Sequence, residues 1–251
     1  MLLQGILNEA RGKVFAQHKA AAIYTIHPTN KHINMSSTIK FFATLFLLVH
    51  SSVLLKAQTN RFSISINSLT TNFNYGKLNS DLHAFKKNYR GLQAGVSYQA
   101  GITKMFSIVP ELYFAVKGGT LKENNPLTIN KSTLRIYSIE LPILARFHFN
   151  HFYLNAGTYT GYNTGGRLKI AGDDLVPETT KNISFGHAAN AFKRWDAGWQ
   201  AGAGYNFPLK KSVLTLDVRY GYGLVNISRD VQRYNRMPNI SLQIAKLHNK
   251  H

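Results

Sequence analysis

The sequence predicts an all-β fold: a closed, eight-stranded, antiparallel up-and-down transmembrane β-barrel with short periplasmic turns and long external loops. Three observations carry the prediction. Apolar and polar residues alternate with a period of two in eight segments, and the connections between those segments alternate between long and short. In three segments, aromatic residues stand ten positions apart at opposite ends of the run. A period of two sends successive side chains to opposite faces of a strand.

The segments are 62–69, 92–100, 106–117, 137–147, 152–162, 194–205, 213–222 and 240–244. The pattern is clearest in 194–205. There Trp195, Ala197, Trp199, Ala201, Ala203 and Tyr205 share one face, and Arg194, Asp196, Gly198, Gln200, Gly202 and Gly204 share the other. The connections run long at about 70–90, 118–133, 163–193 and 225–238, and short near 102–105, 148–151 and 206–212. Strict alternation of this kind belongs to barrels that cross a membrane. A soluble lipocalin-like barrel, the competing architecture, has no reason to sort its loops by length.

The aromatic pairs are Tyr137 with Phe147, Phe152 with Tyr162, and Trp195 with Tyr205. Ten steps of about 3.3 Å on a strand tilted by about 45° project to roughly 23 Å, close to the apolar band of about 25 Å between aromatic girdles. These six residues are the expected girdle. Membrane residence by strands is also what remains once 58–251 is seen to hold no second long apolar run.

The formal charge is +19, and +14 once the one acid and six bases of residues 1–57 are set aside. Such an excess favours anionic partners. The bases are scattered, however, and no nucleic-acid-binding motif accompanies them, so nucleic acid is not an expected partner. The absence of Cys excludes disulfide frameworks, thiolate metal sites and cysteine nucleophiles.

Residues 41–55 form an apolar run too short to cross a bilayer as a helix, which takes about 20 residues. Lys40 precedes the run and Ala57 follows it, so 35–57 reads as a secretory signal peptide cut between Ala57 and Gln58. A signal that starts at Met35 makes 1–34 a non-native leader or upstream extension, and leaves 58–251 as the barrel domain.

With the apolar face toward lipid, the other face fills a lumen that eight strands make just wide enough for side chains. The expected interior network is Glu111, Lys117, Glu140, Arg146, Asp196, Asp217 and Arg219, paired because isolated buried charge is prohibitive. Gly198, Gly202 and Gly204 read as the small side of a cramped interior. Pro110 and Pro142 each remove a ladder donor, which predicts a bulge or bend nearby. Asp173, Asp174, Ser184 and His187 share the third long loop, and His148 and His151 share a short turn, but neither set has a spacing that specifies a triad or a metal site. No catalytic residue, metal or cofactor is expected. The long loops carry Lys77, Lys86, Lys87, Arg90, Arg167, Lys169, Lys181, Lys193, Arg229, Arg233 and Arg236, which predicts contact with outer-membrane lipids and with lipopolysaccharide phosphate.

Several motifs in order, PELYF at 110–114, KGG at 117–119, IELPILARF at 139–147, WDAGWQAGAGYNF at 195–207 and LDVRYGYGLVNI at 216–227, resemble the PorT-like outer-membrane β-barrel family. The resemblance spans the chain from about Gln58. It implies an eight-stranded outer-membrane barrel, and for one namesake a part in the type IX secretion pathway. Such barrels commonly finish on an aromatic residue, whereas this chain runs Lys246, Leu247, His248, Asn249, Lys250, His251. The expected function is non-enzymatic: anchoring or assisting an envelope assembly, with envelope or secretion-system proteins as partners. An outer-membrane enzyme with loop-borne residues, a narrow pore and a soluble ligand-binding barrel are the alternatives.

Overall fold

The computed structural model describes residues 60–172 and 177–246. The expected leader, the signal segment with Ala57 and Gln58, and Asp173 and Asp174 lie outside the described residues. The strands in chain order are β1 (Arg61–Asn74), β2 (Lys86–Lys87), β3 (Tyr89–Gly101), β4 (Phe106–Leu121), β5 (Ser132–Phe149), β6 (Phe152–Ile170), β7 (Thr179–Asn182), β8 (Trp195–Pro208), β9 (Ser212–Gly223) and β10 (Tyr234–Lys246). Eight of them close a ring in the order β1, β3, β4, β5, β6, β8, β9, β10 and back to β1. Every pairing is antiparallel. The short β2 and β7 extend the ladders of β4 and β6 within the long connections.

Closure leaves no unpaired barrel edge, which is what a strand protein needs where water is absent. The three short turns lie at one end, and the tightest of them joins β5 to β6 through Asn150 and His151. Asn150 adopts a φ of +58°, the left-handed region that Asn tolerates better than most residues. The long connections gather at the other end.

Outward faces carry Ile64, Ile66, Leu92, Leu112, Phe114, Ile139, Leu141, Ile143, Leu216, Val218, Ile240 and Leu242, each roughly half exposed. Inward faces carry Ser65, Asn67, Gln93, Glu111, Lys117, Glu140, Asp196, Asp217, Arg219 and Gln243, all buried. This is a greasy exterior around a polar interior, the reverse of a soluble barrel.

The strands run further than their apolar alternation. β5 has 18 residues and β6 has 19, which projects to about 40 Å against an apolar band of about 25 Å. Toward the long loops the faces exchange character. In β5 the inward Ser138 and Glu140 give way to buried Leu134 and Ile136, while the outward Ile139 gives way to exposed Arg135. An apolar cap results, in which Phe73, Leu121, Leu134 and Ile136 from the strands meet Tyr75, Leu82, Phe192 and Ile227 from the loops. Beyond the greasy belt the barrel is built like a water-soluble domain, apolar inside and polar outside.

The prolines do not produce bulges. The register between β3, β4 and β5 is unshifted on both sides of Pro110 and Pro142; pairing lapses around them and resumes. A proline whose missing donor falls at a lapse in the ladder needs no extra residue beside it. The register shift lies instead between Tyr137 and Ser138, where β6 carries Thr164 as an unpaired residue.

Candidate functional site

Side chains fill the lumen in three tiers. Nearest the apolar cap, Lys117 Nζ lies 2.7 Å from Glu140 Oε1 and 2.7 Å from Asp196 Oδ2, with all three side chains fully buried. Asn235 Nδ2 donates to the same Asp196 oxygen at 2.7 Å, and the Tyr159 hydroxyl approaches that carboxylate at 3.4 Å. β4, β5 and β8 each supply one charge, so three strands are tied through a single ammonium.

In the middle tier Arg219 from β9 forks onto Glu111 from β4 across the barrel, with Nη2 donating to Oε1 at 2.9 Å and Nη1 to Oε2. A planar guanidinium matches a carboxylate with two parallel bonds, which fixes direction as well as charge. Gln93 ties Glu140 to two asparagines: its Nε2 donates to Glu140 at 2.8 Å while its carbonyl accepts from Asn67 at 2.7 Å and Asn239 at 3.1 Å.

In the tier nearest the short turns, Asp217 accepts from the Tyr153 hydroxyl and from Asn155 Nδ2 at 2.9 Å. It also lies in charge contact with Arg219 Nε, though not along a hydrogen-bond direction. Arg146 stacks 4.0 Å over the Tyr153 ring and stands 4.0 Å from Glu111. Four carboxylates thus face Lys117, Arg146 and Arg219, and Arg61, which donates to Gln99 at 3.0 Å near the mouth, is the fourth cation. All seven residues expected in the interior are buried, in two clusters: Lys117 with Glu140 and Asp196, and Glu111 with Arg146, Arg219 and Asp217.

The glycines of β8 make room for the large members. A Cβ on Gly198 would come within 2.8 Å of the Tyr159 ring, one on Gly202 within 2.7 Å of Arg219 Cγ, and one on Gly204 within 2.3 Å of the Tyr153 ring. Gly204→Ala is therefore expected to cost about 1–3 kcal/mol by overpacking. A fall in the urea midpoint of refolded protein checks it, and Tyr153→Phe, which frees only the hydroxyl, does not relieve the clash.

At the centre, between Gln93, Glu140, Gln200, Arg219 and Asn239, the remaining void is about 10 Å³, at most the room of one water molecule. Cavities of about 240 Å³ open at each end of the barrel, one lined by Arg61, Ser107, His148 and His151 and the other by Tyr75, Leu134, Phe192 and Arg233. The network separates them. His148 and His151 do not act together: His148 Nε2 is 2.8 Å from Ser107 Oγ, and the His151 ring stacks on Tyr205. Among the described residues no group of three potential metal ligands occurs. Ser184 and His187 are both exposed.

On the outer wall, Tyr162 meets Trp195 edge-on at 5.2 Å at the long-loop end, and Tyr137 lies two residues nearer the long loops than Ile139, the partner of Tyr162. At the short-turn end Phe147 packs on Phe106 at 4.9 Å, and Phe152 is paired with Tyr205. The six expected girdle residues thus form two outward rows at opposite ends of the belt.

A family model for the outer membrane protein beta-barrel domain matches residues 56–229. The chain belongs to the outer membrane protein beta-barrel domain family. This outer-membrane barrel is similar in fold to Ail of Yersinia pestis, at 12% identity over 74% of this chain and 96% of that one, with a TM-score of 0.39. It is likewise similar to Neisserial surface protein A, at 10% identity over 74% and 96% of the two chains, TM-score 0.39. The barrel domain of Pseudomonas aeruginosa OprF gives 12% identity over 74% and 99%, TM-score 0.29. No curated protein matches the sequence.

The fourth long loop of this outer-membrane barrel uses its arginines internally. Arg233 pairs with Asp230 and lies over the Tyr75 and Phe192 rings, Arg229 Nε donates to the Gly186 carbonyl at 2.6 Å, and Arg236, which falls on β10 rather than in the loop, covers the ring of its cross-strand partner Tyr222 at 3.5 Å. Burial works against ionising Asp230, but hydrogen bonds from Arg233 and Ser228 prevail and hold its carboxyl below the usual range. A depressed carboxylate stabilises above its unfolded pKa and stops doing so as pH falls through the folded one. The loop anchor is therefore complete at neutral pH.

Proposed function

We propose that this integral outer-membrane barrel is non-enzymatic and serves as an anchor or assistant of an envelope assembly, presenting its outer wall and long loops as the contact surface. The observation that carries the reading is the filled lumen: with about 10 Å³ left at its centre, the barrel has nothing to pass through it and offers its outside. The PorT-like motifs support a place beside secretion-system proteins in the envelope. Lipid contact, lipopolysaccharide included, falls to the basic long-loop end, where Lys77, Lys87, Arg90, Arg167, Lys169 and Lys181 are exposed. The arginines of the fourth loop are occupied in holding that loop, so their charge reversal tests loop folding as well as lipid binding.

Two measurements test the proposal. Planar-bilayer recording of the purified protein is expected to show no steady conductance, and mild-detergent purification through a tag is expected to retain envelope proteins that are lost when residues 179–192 are shortened. Stepwise conductance speaks for a pore. Ester or peptide hydrolysis that disappears in Ser184→Ala speaks for a loop-borne enzyme, and either result overturns the reading.

A further inference from the structure

We propose that Arg90, Arg135 and Arg167 form a ledge on the outer wall that binds the phosphate groups of an outer-leaflet glycolipid. The inference rests on the reading of the chain as a membrane-embedded barrel whose long loops face outward. Its basis is a row of residues on neighbouring strands. Arg135 and Arg167 are direct partners across β5 and β6, Arg135 is the partner of Gly118 on β4, and Arg90 stands on β3 two residues past Leu92, where the β3–β4 ladder ends opposite Val116. Gly118, Arg135 and Arg167 therefore stand side by side on β4, β5 and β6, with Arg90 near them on β3 and all three arginines exposed.

Such a row is unfavourable by itself. Like charges directly opposite each other on an antiparallel pair destabilise it, and among the described residues none of the three arginines has a carboxylate in ion-pair reach. A nearby base shows the contrast: Lys169, two residues beyond Arg167, is paired with Glu178 at 2.8 Å. An anion from outside the chain resolves the repulsion.

The row is also shaped. A Cβ at Gly118 would come 2.1 Å from the Leu134 carbonyl oxygen, so no side chain can stand between Arg90 and Arg135 without moving β5. Across the resulting notch Arg135 leans toward β3, its guanidinium 5.8 Å from the Tyr89 ring. Three strand spacings of about 4.8 Å make the row about 14 Å long, enough for more than one phosphate group.

Its place past the apolar residues of the same face selects the source of the phosphate. Immediately below on the same face stand Leu92, Tyr137 and Ile139, with Leu92 64% exposed; immediately above, the wall is polar. The ledge sits where the belt ends, so a ligand on it has acyl chains beside it. Guanidinium forks bind phosphate through paired bonds, and an anionic leaflet concentrates such groups at this level.

The test uses the full-length protein purified from membranes and reconstituted in phosphatidylcholine vesicles, with and without bisphosphorylated lipid A. The readout is the temperature at which the compact electrophoretic band converts to the unfolded one. Wild type is expected to gain about 5 °C or more with lipid A and nothing with dephosphorylated lipid A. The Arg135→Gln/Arg167→Gln double variant is expected to lose that gain, yet to match or exceed wild type in phosphatidylcholine alone, because its repulsion is gone. Arg229→Gln, a loop control, keeps the gain. An equal gain in the double variant overturns the ledge, and an equal gain from millimolar inorganic phosphate overturns the lipid assignment. Failure of the wild type to enter vesicles at all sinks the membrane reading instead, and the two failures are distinct.

Discussion

Lys117→Met is expected to cost about 3–5 kcal/mol of folding stability, the loss that follows when one member of a buried ion cluster is removed and its partners remain. Lys117 Nζ is held 2.7 Å from Glu140 and 2.7 Å from Asp196, so the variant leaves two carboxylates facing a methyl group. The void of about 10 Å³ below them cannot admit enough water to hydrate either. Asn235, Gln93 and Tyr159 still donate to the carboxylates, but neutral donors do not cancel charge. A triple variant that adds Glu140→Gln and Asp196→Asn removes the charge imbalance and is expected to recover most of the loss. Urea titration of vesicle-inserted protein reads both effects, and a single variant within about 1 kcal/mol of wild type would refute the account of the network.

Leu141→Arg is expected to cost about 2–4 kcal/mol, the range for an arginine on the lipid face near mid-bilayer. Leu141 is 46% exposed, flanked on its face by Ile139 and Ile143, and it lies between the aromatic rows at Tyr137 and Phe147. In a water-soluble protein so exposed a leucine accepts arginine within about 0.5 kcal/mol. The size of the effect therefore reports which solvent bathes the wall. Thr180→Arg on the exposed β7, beyond the belt, is expected to fall within that smaller range, and equal costs at the two positions would remove the distinction.

The embedded part of the barrel was legible in the sequence because lipid and a packed lumen impose opposite demands on alternate residues. Trp195, Leu141 and Phe114 face outward and Glu140 and Asp217 inward, as their parity on the strands requires. What parity did not convey was how far the strands continue. Past Tyr137 the inward positions become Ile136 and Leu134 and the outward one becomes Arg135, so the alternation persists with its sign reversed, and the outer hairpins read as loops.

The apolar cap was hidden for the same reason. Leu82, Phe192 and Ile227 stand singly among polar loop residues, and only the closed ring brings them together. Within the lumen, the charged members were recognisable by type and face, whereas Tyr153 and Tyr159 were not singled out, since an aromatic residue in such a strand is more readily assigned to the belt. Both share the inward parity of Asn155, opposite to that of Phe152 and Tyr162, and that was the available signal. The pairing of Lys117 with residues 23 and 79 positions away depends on closure and has no local trace.

The orientation of the wall can be read without altering the protein, because its two tryptophans, Trp195 and Trp199, both point outward, 64% and 56% exposed. In vesicles that contain phospholipids brominated along the acyl chain, their fluorescence is expected to be strongly quenched, more at Trp199 than at Trp195, which lies four residues nearer the long loops, and aqueous iodide is expected to have little effect. Strong quenching by iodide with none from the brominated chains would place the apolar face in water and contradict the account.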